Sequence, residues 1–291
     1  MSPAQPAQVN KVLKEKRFRK GVHPAIIVIV WFFALLWLVP IVGAFLTAFR
    51  TFDDLNEFGL FSIPRVFTLD NFTRAWNTAN LGQFMLNSFI ITIPSLTACV
   101  LLSSMCAYAL VRFRFALSRP LYMMFVAGLM LPFQMLLLPV FKLSDDLGIY
   151  NTYWSLILIH TAFQLGFCSF VLRNFMRTVP PSLFESAVID GATEWVIFRR
   201  IAFPLMLPGL AALATLEFTW IFNDFLWALV LIQDTHLKPV TTGLANLRGQ
   251  FTTDYPLIVA GSLVATIPTL IVFFGLQRYF IQGLTVGATK G

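Results

Sequence analysis

The chain has 291 residues, of which 57% are hydrophobic and 12% charged, so it is too apolar for an ordinary soluble domain and belongs in a bilayer. Its net charge of +7 would suggest nucleic acid as the partner of a soluble protein, but here the distribution of the charges about the membrane accounts for it, and no nucleic-acid partner is expected. The expected fold class is an all-α integral membrane protein.

In chain order, residues 1–23 form a basic leader whose cluster KVLKEKRFRK suits an anionic inner leaflet of membrane lipids. The first apolar run, 24–49, is about twice the length of a signal-peptide core, so an uncleaved first transmembrane helix is expected rather than a cleaved leader. Residues 50–83 make an extracytoplasmic loop with no readable function. The runs 75–111, 120–141, 147–172 and 255–277 contain no Asp, Glu, Lys or Arg, and 201–233 is interrupted only by Glu217 and Asp224. A helix needs about 20 residues to cross the hydrocarbon core, so six spans are expected, with residues 84–280 as the transmembrane core. With the N-terminus inside, the inner segments hold 15 Lys and Arg and the outer segments six, which places both termini in the cytoplasm. Prolines at Pro40, Pro94, Pro132, Pro139 and Pro268 permit kinks that protein or water must line, as suits a moving transporter.

No motif of a self-sufficient enzyme occurs: there is no GxxxxGK[ST], HExxH or GxSxG, and His23, His160 and His236 are scattered. Catalytic residues, a bound cofactor and a metal site are not expected. Cys99, Cys106 and Cys168 all fall within spans, lack a CxxC spacing and read as small packing residues.

The longest inner loop, 175–204, is the most informative. In PPSLFESAVIDGA, Ser182 and Glu185 have capping-box spacing, Leu183, Phe184, Ala187 and Val188 form an apolar stripe, and Gly191 can end the helix after about two turns. TEWVIFRRIAF then leads back to the membrane at Pro204. Such a helix packs on its own bundle or docks a cytosolic partner, and composition leaves both open.

The residues Glu185, Ser186 and Ala187, three residues to Gly191, then nine to Ile201 with Phe203 and Pro204, resemble the EAA loop of membrane subunits of bacterial ATP-binding-cassette importers. The family pattern is EAA, three residues, G, nine residues, I-x-L-P; Ser186 and Phe203 are mild departures. NTYWSLIL (151–158), RNFMRTVPPSLFESAVIDGA (173–192), NDFLWAL (223–229) and LQRYFIQGLTVGATKG at the C-terminus are similar to maltose-type sugar permeases. The resemblance covers residues 84–291 and implies a type I importer fold in which the loop carries a coupling helix. Glu185, Ser186, Ala187, Asp190, Gly191 and Ala192 would then face an ATPase subunit, with Glu185 making a charged contact as well as a cap. It also implies ATP and Mg in two partner ATPase chains, a second homologous permease, an extracytoplasmic sugar-binding protein and a small-molecule sugar substrate. By the same analogy the cytoplasmic tail 281–291, through Gly283, Leu284, Thr285, Gly287 and Lys290, would reach the ATPases, although its lack of periodicity reads as a frayed end.

Ionisable groups at membrane depth are functional by default. Glu217, Trp220 and Asp224 have i, i+3, i+7 spacing, which places them on one helical face, and Trp220, Asn223 and Asp224 have the aromatic, amide and carboxylate chemistry of a sugar pocket. His160 and Gln164 form a second pair, with Gln134, Asn87 and Ser88 as further candidates for the substrate path. Sugar contacts and cross-helix hydrogen bonds explain such groups equally well. Two other readings are a proton-coupled carrier using Glu217, Asp224 and His160, and a membrane scaffold; within the importers a non-sugar solute is the alternative.

Overall fold

The structure is a computed structural model that describes residues 24–60, 62–78, 80–245, 247 and 253–288; the basic leader lies outside them. Thirteen α-helices are described: α1 (Pro24–Ala48), α2 (Phe52–Phe58), α3 (Asp70–Asn77), α4 (Leu81–Arg112), α5 (Ser118–Gly128), α6 (Leu137–Asp146), α7 (Tyr153–Met176), α8 (Ser182–Ile189), α9 (Glu194–Ile197), α10 (Phe203–Phe222), α11 (Leu226–Leu231), α12 (Val240–Ala245) and α13 (Tyr255–Ala288). Outside the helices an isolated β-bridge joins Arg50 and Phe67.

Five continuous helical segments are long and apolar enough to cross a membrane: α1, α4, α7, the stretch from α9 through α10, and the first 24 residues of α13. The sixth expected span, 120–141, is not one straight helix. α5 and the segment Phe133–Asp146 meet at 98° across residues 129–132. Pro132 explains the break: it has no N–H to donate, and it drives Leu131 away from helical dihedrals. A short 3-10 turn, Phe133–Leu136, starts the second arm.

The bundle is built around α4 and α7, with α10 against both and α13 against α10. Their shared interior is made of small residues and a few large apolar ones. On one side Cys99, Ala107, Tyr108, Leu172, Met176, Met206 and Leu210 are buried together; toward the other end Leu81, Phe84, Phe218, Phe222 and Val240 form a second cluster. Small side chains let helix backbones approach closely in lipid, where no hydrophobic drive holds helices together. Gly209 shows this, because a Cβ there would meet the Phe175 ring at 3.3 Å. α1 packs mainly on α13 and presents an almost wholly exposed apolar surface, as suits a helix facing acyl chains.

The loop after α1 is an ordered collar. Arg50 is fully buried; its Nε donates to Asp54 Oδ2 at 2.8 Å, and its two terminal nitrogens donate to Gly59 O (2.9 Å) and Ser62 Oγ (2.7 Å). Asn71 Nδ2 donates to Ala48 O and Arg50 O, and Arg74 pairs with Asp254 at the start of α13. The collar therefore joins α1 to α13 as well as closing on itself.

At the same end, α12 rests on α4 at Gly243. A Cβ at that position would fall inside the buried Phe84 ring, so the fit requires glycine. Gly243→Ala is expected to lower stability by about 1–3 kcal/mol through overpacking. Thermal melts of the purified chain test this, and Phe84→Leu added to Gly243→Ala should recover part of the loss.

Candidate functional site

α8 starts one residue earlier than a capping box requires. Pro180 and Pro181 precede it, their carbonyls accept from Leu183, Phe184 and Glu185, and Ser182 is already helical. No side chain caps this end, and the Ser186 hydroxyl donates to Ser182 O instead. The Ser182–Glu185 box expected from spacing is thus not formed, and Glu185 stands exposed.

The other end matches expectation. Gly191 adopts φ +81°, its N–H donates to Val188 O, and Ala192 N–H donates to Ala187 O, a paired closure that leaves a left-handed glycine just past the helix. Asp190 is the exposed residue at the cap.

The apolar stripe is divided between two faces. Phe184 and Ala187 are buried with Tyr108 and Phe198, and Ala192 packs at the edge of that cluster. Glu185, Ser186, Val188 and Ile189 are open, Ile189 being 85% exposed. The packing and docking explanations each take one face of α8.

A polar clamp fixes α9 beside it. Glu194 accepts from Tyr108 OH at 2.6 Å and from Arg112 Nη2 at 2.8 Å, which ties the loop to the end of α4. At Phe198–Ala202 the helix widens into a π turn, where Phe203 N–H reaches Phe198 O. Pro204 follows directly and has no N–H for an ordinary helical bond.

The polar residues of the spans fall into three groups. His160, Asp224, Asn87 and Ser88 form an internal latch. His160 Nε2 lies 3.7 Å from Asp224 Oδ2, and Asp224 also accepts from Ala228 N at 3.1 Å. Asn87 Nδ2 donates to His236 O and Lys238 O, while Ser88 Oγ accepts from Val240 N. These bonds hold segment 236–240 against α4. Trp220, Asn223 and Gln134 are exposed and Gln164 is half-buried. Glu217 stands apart and fully buried: Cys168 Sγ donates to its Oε1 at 3.3 Å, and its Oε2 has no hydrogen-bond partner among the described residues.

The i+7 relation expected for Glu217 and Asp224 does not hold, because α10 ends at Phe222 and Asp224 lies in the break before α11, where its carboxylate accepts from Trp227 N and Ala228 N. Glu217 and Trp220 both meet α7, at Cys168 and Phe167 respectively, but Glu217 is fully buried whereas Trp220 remains 49% exposed. At the C-terminus α13 stays helical through Gly283, Leu284, Thr285 and Gly287, where lack of periodicity suggested a frayed end; Lys290 lies outside the described residues.

The family model of the binding-protein-dependent transport system inner membrane component matches residues 99–286. The chain belongs to that family. It is therefore a transport permease, multi-pass in the cytoplasmic membrane. Among curated relatives, the permease is 36% identical to the arabinooligosaccharides transport system permease protein AraQ of Halalkalibacterium halodurans, over 89% of this chain and 94% of that one. It is 32% identical to the diacetylchitobiose uptake system permease protein NgcG of Streptomyces coelicolor, over 95% of this chain and 90% of that one. Its fold is that of a chain from a bacterial ABC transporter involved in the import of the acidic polysaccharide alginate, with a TM-score of 0.78, 19% identity, and coverage of 96% of this chain and 99% of that one.

Two features of the permease were not anticipated from its sequence. Arg112 and Tyr108 lie more than 80 residues from Glu194, so nothing local pairs them, although an acid opening a helix beside a basic span end is a usable cue. Asn151 takes a left-handed φ of 57° and accepts from Gln233 N and Asp234 N, which docks the start of α7 to the end of α11. Of the three residues behind the carrier alternative, Asp224 and His160 meet, and Glu217 lies against Cys168.

Proposed function

We propose that this permease forms half of the translocation path of a sugar importer, with both termini in the cytoplasm and α8 seated in a groove of a partner ATPase. The observation that carries this reading is the division of α8. Phe184 and Ala187 hold the helix to the bundle, while Glu185, Ser186, Val188 and Ile189 are left for another chain. A displacement of α8 would pass directly to α4 through Glu194, Tyr108 and Arg112, and to α10 through the turn at Phe198–Ala202. ATP and Mg belong to the ATPases. In this reading Glu185 supplies charge to the contact, since no cap employs it, and Asp190, Gly191 and Ala192 shape the turn. The helical end of α13, through Gly283, Leu284, Thr285 and Gly287, extends toward the same partners, and the tail ends with Lys290.

A sugar is favoured because the relatives named above carry arabinooligosaccharides and diacetylchitobiose. Trp220 offers an aromatic face for a sugar ring, and Asn223, Gln134 and Gln164 offer amides for its hydroxyls; Trp220, Asn223 and Gln134 are exposed and Gln164 is half-buried. His160, Asp224, Asn87 and Ser88 hold the outer segment in place, and Glu217 braces α7 and α10. A second permease would supply the other wall, and an extracytoplasmic binding protein would deliver the sugar.

Purification from native membrane in mild detergent, with mass spectrometry of the retained subunits, tests the reading. Recovery of an ATPase, a second permease and a solute-binding protein that binds oligosaccharides is expected. A binding protein selective for a non-sugar solute would remove the sugar. Solute movement by this chain alone in ATP-free vesicles would overturn the importer reading.

A further inference from the structure

On the side of the bundle that carries α8, α5 and α7 leave an open cleft lined by Ser118, Arg119, Tyr122, Met123, Arg173 and Arg177. No carboxylate lines it. Among the described residues, none of its three arginines forms an ion pair. Arg173 lies over the Tyr122 ring with its carbon centre 3.9 Å from the ring centroid, and among the described residues its buried Nε has no hydrogen-bond acceptor. Tyr122 is held in turn by stacking on Phe170. The cleft also includes the start of α5, where Ser118 N–H and Leu121 N–H are already bonded to Phe115 O and Leu117 O and Pro120 has no N–H, so the helix end adds little beyond its dipole and the arginines carry the charge of the cleft.

The retention of Lys and Arg on the inner side explains why these arginines lie at this end of the molecule. It does not explain why three of them line one cleft that has no carboxylate among its lining residues. The adjoining wall is apolar: α5 buries none of its residues, and Met123 and Met124 are each 59% exposed, with Leu117 at 62%. A cleft with guanidinium donors at one end and exposed apolar side chains along the other matches an amphiphile with an anionic head. Basic recesses between spans recognise lipid head groups in this way.

We propose that this cleft binds the phosphate head group of an anionic phospholipid, with Arg173, Arg177 and Arg119 on the phosphate and the acyl chains along α5. The lipid orders the bend between α5 and α6 by holding α5 to α7. The choice of leaflet rests on the orientation proposed above, whereas the head-group contact does not.

The test uses the assembled transporter, stripped of lipid and given equal amounts of phosphatidylglycerol and phosphatidylcholine with matched acyl chains. Native mass spectrometry counts the bound lipids. The expected result is a preference for phosphatidylglycerol that falls about fivefold for each of Arg173→Gln and Arg177→Gln. Arg200→Gln, an exposed arginine on the same side but outside the cleft, should change nothing. Should Arg173→Gln fail to assemble, Arg177→Gln and Arg119→Gln, both at exposed positions, carry the test. Unchanged retention in the variants would overturn the proposal. Complete displacement of the lipid by inorganic phosphate would reassign the cleft to a soluble anion. A crosslink from position 177 to an acidic residue of the second permease, with no lipid preference, would reassign it to a protein contact.

Discussion

Arg50→Ala is expected to destabilise the permease by about 3–5 kcal/mol, the usual cost of removing one member of a buried ion pair. The substitution leaves Asp54 buried without its counter-charge and removes the donors to Gly59 O and Ser62 Oγ that close the collar. Denaturation in detergent should show the loss, and limited proteolysis should cut within residues 50–68 well before the spans. Arg50→Met combined with Asp54→Leu should be far milder, because replacing both partners leaves no orphaned charge. Equal losses in the single and double variants would mean that the collar depends on packing volume and that the ion pair contributes little.

The second large effect is expected at α8. Phe184 is 5% exposed and meets the Tyr108 ring edge-on at a centroid distance of 6.2 Å. Phe184→Ala should cost about 3–5 kcal/mol in burial and cavity terms. That energy comes from the seat of α8, so transport by the assembled importer should fall by more than tenfold even where the chain still inserts. Ile189→Asp supplies the contrast, since Ile189 touches almost nothing in this chain. It should leave the melting temperature unchanged and abolish capture of the ATPase. An Ile189→Asp variant that still captures ATPase and transports normally would show that the open face of α8 is not the docking face.

The spans were legible because lipid demands long charge-free helices, and five of the six expected runs each contain a helix long enough to cross a membrane. The 98° bend was not legible, because a charge-free run of sufficient length looks the same whether it crosses straight or turns back; Pro132 was the one available sign. The stop at Gly191 was legible, since its chemistry is local to a few residues. The start of α8 was misread because two prolines compete with Ser182 for the boundary, and their carbonyls had already taken the role of a cap. In the membrane, helical spacing was extended to Asp224 although Asn223–Asp224 is itself a sequence that ends one helix and opens the next. The Cys168–Glu217 bond joins residues 49 apart and leaves no periodic trace.

The widened turn at Phe198–Ala202 has a geometric consequence for the loop as a whole. A π turn holds one residue more than an ordinary helical turn, and one residue corresponds to about 100° of rotation about the axis. The faces of α9 and α10 are therefore out of phase by that angle relative to an unbroken helix, and α8 inherits the offset through Gly191. Deleting Arg199 or Arg200, both exposed and outside the buried cluster that Phe198 and Ala202 join, would restore the regular winding, yet it would turn Ile189 and Glu185 by roughly a quarter turn about the axis of α10. The distance from Gly191 to Pro204 thus acts as an angular setting, fixing the azimuth at which α8 meets the outside world.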